Sequence, residues 1–216
     1  MRTLKVNLDK KTLSSYEIRM GKGILDRVML LIAKNHKAAR YVIVTDSNVN
    51  RLYGQVMIAG MEKAGLKTFV IEIPAGESSK NITVVMDVAG RLLAEGADRE
   101  TMLIALGGGV VGDLTGFIAS VYMRSVPYIQ VPTTLIGQLD SAIGGKTAVD
   151  LPQGKNLLGT FYQPRAVFAD VNFLETLPDR EFNNGLAEMI KYGIIEDESL
   201  FRRLEEDMDA VKSRDS

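Results

Sequence analysis

The sequence predicts an α/β fold built on a parallel sheet, with an opening β-hairpin before it and the start of an all-α domain after it. Three observations lead there. Runs that are apolar throughout, such as YVIVT at 41–45 and TMLIAL at 101–106, alternate with stretches of helical periodicity, as strands covered by helices on both faces require. Half of the glycines, 10 of 20, fall in the 53 residues from Gly107 to Gly159, where a backbone must turn sharply or lie close to something. After Pro178 two helical stretches follow with no strand between them.

In chain order, Leu4, Val6 and Leu8 alternate, as do Tyr16, Ile18 and Met20, with polar DKKT between them; this spacing predicts the hairpin. Residues 24–35 are helical in period, 41–45 form a strand, and 49–64 are helical again until Gly65 stops them. A strand at 69–73 precedes a helix over 81–95, which Gly96 ends, and then the strand at 101–106. A glycine-rich helix start, a strand at 128–131, a helix from Thr134 and a last strand at 166–169 complete the α/β part. The boundary is placed at Pro178, giving 1–178 as the α/β domain and 179–216 as the beginning of an incomplete helical domain.

The 26 Lys+Arg against 27 Asp+Glu, with 46% hydrophobic residues, describe a globular chain without a nucleic-acid or membrane footprint. The N-terminus lacks an apolar leader core and the longest aliphatic run, 28–33, is far too short to span a membrane, so a soluble cytoplasmic protein is expected. Absence of Cys excludes thiolate metal sites, and the single histidine, His36, excludes a two-His zinc site within the chain. His36, in polar NHKAAR, reads as a surface-loop residue.

Gly107-Gly108-Gly109-Val110-Val111-Gly112-Asp113 fits G-x-G-x-x-G between a strand and a helix, the context in which backbone N–H groups and a helix N-terminus receive a pyrophosphate. A tight turn without ligand fits the pattern too, and the motif follows a late strand rather than the first. Asp46 ends one strand and could accept ribose hydroxyls or simply cap a helix. Pro74 to Lys80, PAGESSK, supplies a turn, a carboxylate and an ammonium at the next strand end. Asp140, Gly144, Gly145 and Lys146, then Gly154, Lys155 and Asn156, mix charge with glycine, and with Arg124 they suggest an anionic small molecule. Glu188, Lys191 and Tyr192 share one helix face, and Gly185, one turn earlier, suggests close approach of another element.

These segments, LGGGVVGDLTGF, IQVPTTL, DSAIGGKTAV, GKNLLGTFYQP, TLPDRE and GLAEMIKYGII, in this order, resemble the 3-dehydroquinate synthase family of the shikimate pathway from about Asp46 onward. The resemblance implies a Rossmann-like domain holding NAD through Asp46, Gly76, Glu77, Lys80, Gly108, Gly109, Val110, Val111, Gly112, Asp113, Thr133, Thr134, Lys146, Lys155, Phe173, Thr176 and Leu177. It implies that Arg124, Asp140, Lys146, Asn156 and Lys191 line the pocket for the phosphorylated seven-carbon keto acid DAHP. Glu188 is implied as a ligand of a divalent metal, zinc or cobalt, and the active form as a homodimer. Implied chemistry is oxidation of a ring alcohol, loss of phosphate, reduction back and an intramolecular aldol closure, so that NAD returns unchanged.

Ser125 stands where the family often has glycine, and Gly137 and Ala142 where serine is common. The family's two metal-binding histidines lie beyond Ser216, so the chain alone is expected to show little or no turnover. Another sugar-phosphate cyclase, a metal-dependent polyol dehydrogenase and a non-catalytic NAD-binding module remain open.

Overall fold

The computed structural model describes residues 15–214. The expected strand at 4–8 lies outside them. The elements run β1 (Glu17–Gly21), α1 (Leu25–Asn35), β2 (Arg40–Asp46), α2 (Ser47–Val49), a π-helical segment (Asn50–Gly54), α3 (Gln55–Lys63), β3 (Thr68–Ile73), α4 (Ile82–Ala94), β4 (Thr101–Gly107), α5 (Gly109–Val121) and β5 (Tyr128–Pro132). A second π-helical segment (Gly137–Ser141), β6 (Lys146–Leu151), β7 (Gly154–Phe161), β8 (Ala166–Asp170), a 3-10 turn (Val171–Thr176), α6 (Asp179–Ile195), α7 (Glu198–Glu206) and α8 (Met208–Ser213) follow.

Among the described residues six strands form one sheet in the order β1-β8-β5-β4-β2-β3, every neighbouring pair parallel. The helices divide between its faces. Val85, Val88 and Leu92 of α4 and Val111, Leu114 and Ile118 of α5 pack with Val42, Val44, Leu103 and Ala105 on one face. Val28, Met29 and Ile32 of α1 and Met57 and Met61 of α3 pack with Tyr41, Ile43, Ile104 and Phe168 on the other. Burial on both faces is why β2 and β4 read as unbroken apolar runs, and the Rossmann-like class is therefore realised.

The sheet order reverses between β2 and β4. The chain leaves β2 for β3 by way of α3 on one face, and leaves β4 for β5 by way of α5 on the other. A crevice outside the carboxyl ends of two such strands is the general ligand position in an open α/β sheet. Asp46 and Gly107 are the last residues of those two strands.

Local signals set the helix ends as expected. Gly65 and Gly96 take φ of +76° and +71°, and the amides after them return to Met61 O and Leu92 O, the left-handed closure that favours glycine. Asn81 caps α4 by accepting from Val84 N.

The strand expected over Tyr16 to Met20 is β1, which pairs with β8 in parallel; its expected hairpin partner lies outside the described residues. Two expectations are corrected. The chain between the second π-helical segment and β8 is an antiparallel hairpin, β6–β7, where no strand was expected; it packs on α5 because Gly116 leaves room for the Thr147 methyl, 2.4 Å from where a Cβ would stand. His36 is the C-cap of α1, with its ring edge-on to Phe168 at 6.3 Å.

Burial pushes the His36 pKa below its ordinary value, with Glu17 opposing and Arg165 and Arg19 assisting. As pH falls past that ordinary value, the unfolded chain takes up a proton that the folded chain resists, so stability falls with pH. Denaturant titrations at pH 7.5 and 5.5 are expected to show His36→Gln losing less stability than the parent over this window. An equal loss in both proteins would remove His36 as the cause.

Candidate functional site

The carboxyl edge of the sheet gathers most of the expected residues. A cavity of about 580 Å³ is lined by Asp113 of α5, Asp140 and Ser141 of the second π-helical segment, and Lys146, Asn156 and Phe161 of the hairpin, among others. Ile143, Leu157 and Phe161 give part of its wall an apolar surface.

Helix α5 begins without a side-chain cap at Gly108, and the first amide shown to return into the helix is that of Gly112, to Gly108 O. The N–H groups of the preceding turn are thus available to an anion. The glycines here are close-approach residues: a Cβ at Gly108 would lie 2.8 Å from the Thr134 methyl, and one at Gly109 would lie 3.1 Å from Ser141 Oγ. Thr133 N donates to Gly107 O at 2.9 Å, so the ends of β4 and β5 are held side by side.

Lys80 is the joint of the site. Its ammonium is buried, 5% exposed overall, and donates to Asp113 Oδ2 at 2.5 Å and to Asn156 Oδ1 at 2.6 Å. Its carbonyl accepts from Asp150 N at 2.7 Å. One residue at the start of α4 therefore fastens α5 to the hairpin. Nearby, Lys155 Nζ donates to Glu77 Oε1 at 2.8 Å, and Asn156 takes φ of +58°, a conformation asparagine tolerates. Burial pushes the Asp113 carboxyl above the usual carboxylate range, against the pull of Lys80. Its charge is held by one partner.

Gly76 reaches φ of +106°, which only glycine adopts freely, and it turns the chain so that Glu77 and Lys80 both face the hairpin. Asp46 caps α2: its Oδ1 accepts from Asn48 N and Val49 N. The capping alternative is thus realised, with Oδ1 engaged.

On the helical side, Tyr192 donates to Asp140 Oδ1 at 2.8 Å, and Lys191 pairs with Glu188. The hydrogen bond to Asp140 and the neighbouring Glu188 push the Tyr192 pKa up to about 12. The close approach expected at Gly185 is present: a Cβ there would lie 2.6 Å from Leu135 Cβ and 2.7 Å from Ile136 N. Leu135, Leu177, Phe182, Leu186 and Leu204 close that contact with an apolar cluster.

The structure does not bring Arg124 to these groups. It is exposed and follows the far end of α5, whose 13 residues span about 20 Å at 1.5 Å each. Met123, Arg124 and Ser125 take φ of +51°, +67° and +96° in succession, so Ser125 occupies a conformation suited to the glycine the resemblance expects there. Thr176, Leu177 and Phe173 lie on the 3-10 turn after β8 or directly beyond it, beside Tyr53, whose ring stands edge-on to Phe173 at 4.7 Å.

Sequence reasoning missed two residues. Buried Gln138 donates to Pro132 O and Asp170 O and ties the π-helical segment to two strand ends; a lone glutamine in a helical stretch gives no signal of this. Tyr53 gave none either.

Residues 70–184 match the family described as 3-dehydroquinate synthase N-terminal. The 3-dehydroquinate synthase of Acidithiobacillus ferrooxidans is 49% identical over 215 residues, which are 100% of this chain and 58% of that protein. The chain thus spans somewhat over half the length of such relatives. Among solved structures, 2-epi-5-epi-valiolone synthase from Streptomyces hygroscopicus with NAD+ and Zn2+ bound is 34% identical, with a TM-score of 0.86 over 98% of this chain and 58% of that one. A 2-deoxy-scyllo-inosose synthase complexed with carbaglucose-6-phosphate, NAD+ and Co2+ is 32% identical, with a TM-score of 0.75 over 81% of this chain and 47% of that one.

Proposed function

The chain belongs to the 3-dehydroquinate synthase family, and from that membership we propose that it is the NAD-binding part of an enzyme converting DAHP to 3-dehydroquinate and phosphate. The observation that carries the proposal is the single cavity that joins Asp113, beside the glycine turn, to Asp140, Lys146 and Asn156.

The residues fit a dinucleotide. The uncapped start of α5 offers N–H groups and the positive end of a helix dipole to a pyrophosphate, and Gly108 and Gly109 leave its path clear of side chains. Asp46 at the β2 end offers Oδ2 to a ribose, Oδ1 being engaged in the cap. NAD supplies reversible hydride acceptance when bound, so the net reaction is a phosphate-eliminating carbon–oxygen cleavage. Lys146 and Asn156 meet the anionic substrate from the hairpin, and Asp140, held by Tyr192, meets it from the opposite wall.

A divalent metal does not fit the described residues alone, since among them no three His, Cys, Asp or Glu side chains converge and zinc takes four ligands in most sites. Glu188 is assigned as one ligand only, and the helical segment from Asp179 as the start of the unit that would complete the site.

A related cyclase acting on another phosphorylated sugar is the second reading, favoured by the likeness to the two cyclase structures. Likeness to dehydrogenases at 20% identity shows the fold alone.

Calorimetric titration with NAD tests the cofactor assignment. The chain is expected to bind one NAD, and Gly109→Ala, whose methyl would press on Ser141 Oγ at the anion's approach, to weaken binding at least about tenfold while the chain stays folded. A folded chain that binds no NAD would overturn the assignment.

A further inference from the structure

We propose that Tyr53 is a positioning residue for the dinucleotide, holding the Thr176–Leu177 turn in its binding conformation before the ligand arrives. The inference rests on the NAD reading of the crevice and names a group to which neither the family resemblance nor the chain's local sequence assigns a role.

Tyr53 belongs to the connection that leaves β2, and Thr176 to the turn that leaves β8. In the sheet β4 and β5 stand between those two strands, three strand spacings or about 14 Å in all. The Tyr53 hydroxyl and Thr176 Oγ1 are nevertheless 2.5 Å apart. Their bond therefore passes across the mouth of the crevice, on the face that carries α1 and α3, in front of the Gly107–Gly109 and Thr133–Thr134 turns.

The donor follows from a second bond. Thr176 Oγ1 also reaches Phe173 O at 3.3 Å, and the arrangement that satisfies both contacts has Tyr53 donating to Thr176 and Thr176 donating to Phe173 O. The threonine rotamer and the turn behind it are thereby fixed from two sides. The ring is fixed as well, edge-on to Phe173 at 4.7 Å and 80°, a favoured aromatic geometry.

The backbone places the tyrosine there by a local irregularity. Residues Asn50–Gly54 are π-helical, and such a segment re-aims the side chains after it, often at functional sites. Asn50 Nδ2 donates to Glu72 Oε2 at 2.5 Å, and a Cβ at Gly54 would lie 1.9 Å from Asn50 Oδ1. Glycine at 54 thus lets Asn50 keep this rotamer. A turn ordered in advance spares the ligand that cost on binding.

The test compares NAD affinities of the 216-residue chain, Tyr53→Phe, Thr176→Val and the double variant, each with its melting temperature. Tyr53→Phe keeps the ring on Phe173, so the melting temperature is expected to stay within about 2 °C while NAD affinity falls about threefold to tenfold, the range of one hydrogen bond. In the Thr176→Val background the same change is expected to have no further effect, because the tyrosine acts through that threonine. A Tyr53→Phe affinity within twofold of the parent, or losses that multiply in the double variant, would overturn the positioning role alone. Absence of NAD binding by the parent chain would overturn the cofactor reading, and this inference with it.

Discussion

Asp113→Ala is expected to cost about 3 kcal/mol of folding stability, the order observed when one member of a buried ion pair is removed. Lys80 would be left with its side chain only 6% exposed and with the neutral Asn156 carbonyl as its remaining acceptor. For a chain of this length that is a fall in melting temperature of roughly 10 °C. Asp113→Leu with Lys80→Met, which removes both charges, should recover most of it, since a buried pair replaced by apolar groups is often neutral or stabilising. A single-variant loss under about 1 kcal/mol would mean that water reaches the pair and that Lys80 does not join α5 to the hairpin.

The second large effect sits at Gly185, where two rules oppose each other. Alanine in a helix interior is favoured over glycine by about 1 kcal/mol. The new methyl would stand 2.7 Å from the backbone nitrogen of Ile136, and overpacking of this kind costs about 1–3 kcal/mol. Packing wins because a backbone atom within a helical segment cannot swing aside. Gly185→Ala is therefore expected to lower stability by up to about 2 kcal/mol net, and Gly185→Val by more. Amide exchange should accelerate most in 179–213, where α6 is released from Leu135. Exchange that rises evenly over the whole sheet would show instead that α6 and the sheet unfold as one unit.

The parallel strands were legible because burial on both faces writes itself into β2 and β4 as unbroken apolar runs. The hairpin was not: β7 is exposed along most of its length, with Leu157 and Phe161 at 60% and 81%, so it shows no alternation between an apolar and a polar face. Its support comes from α5 and from Lys80, which no local pattern reveals. The site was legible as residue types, since glycines beside charges mark anion loops, but its pairings were not. Lys80 finds Asp113 and Asn156 at separations of 33 and 76 residues, and Tyr192 finds Asp140 at 52. Composition put Arg124 with the other cations, whereas the length of α5 carries it to the opposite end of the sheet.

The placement of β1 beside β8 sets the order in which the fold can be completed. Asp170 at the end of β8 accepts from Leu25 N, 145 residues earlier, and β1 has no sheet neighbour among the described residues until β8 exists. At about 5–20 residues per second of synthesis, the first strand waits on the order of ten seconds or more for its partner. During that interval the backbone N–H and C=O groups of β1 that pair with β8 in the finished sheet have no strand partner there. The step that joins β1 to β8 spans about 145 residues, and loop closure over such a distance places it late in folding.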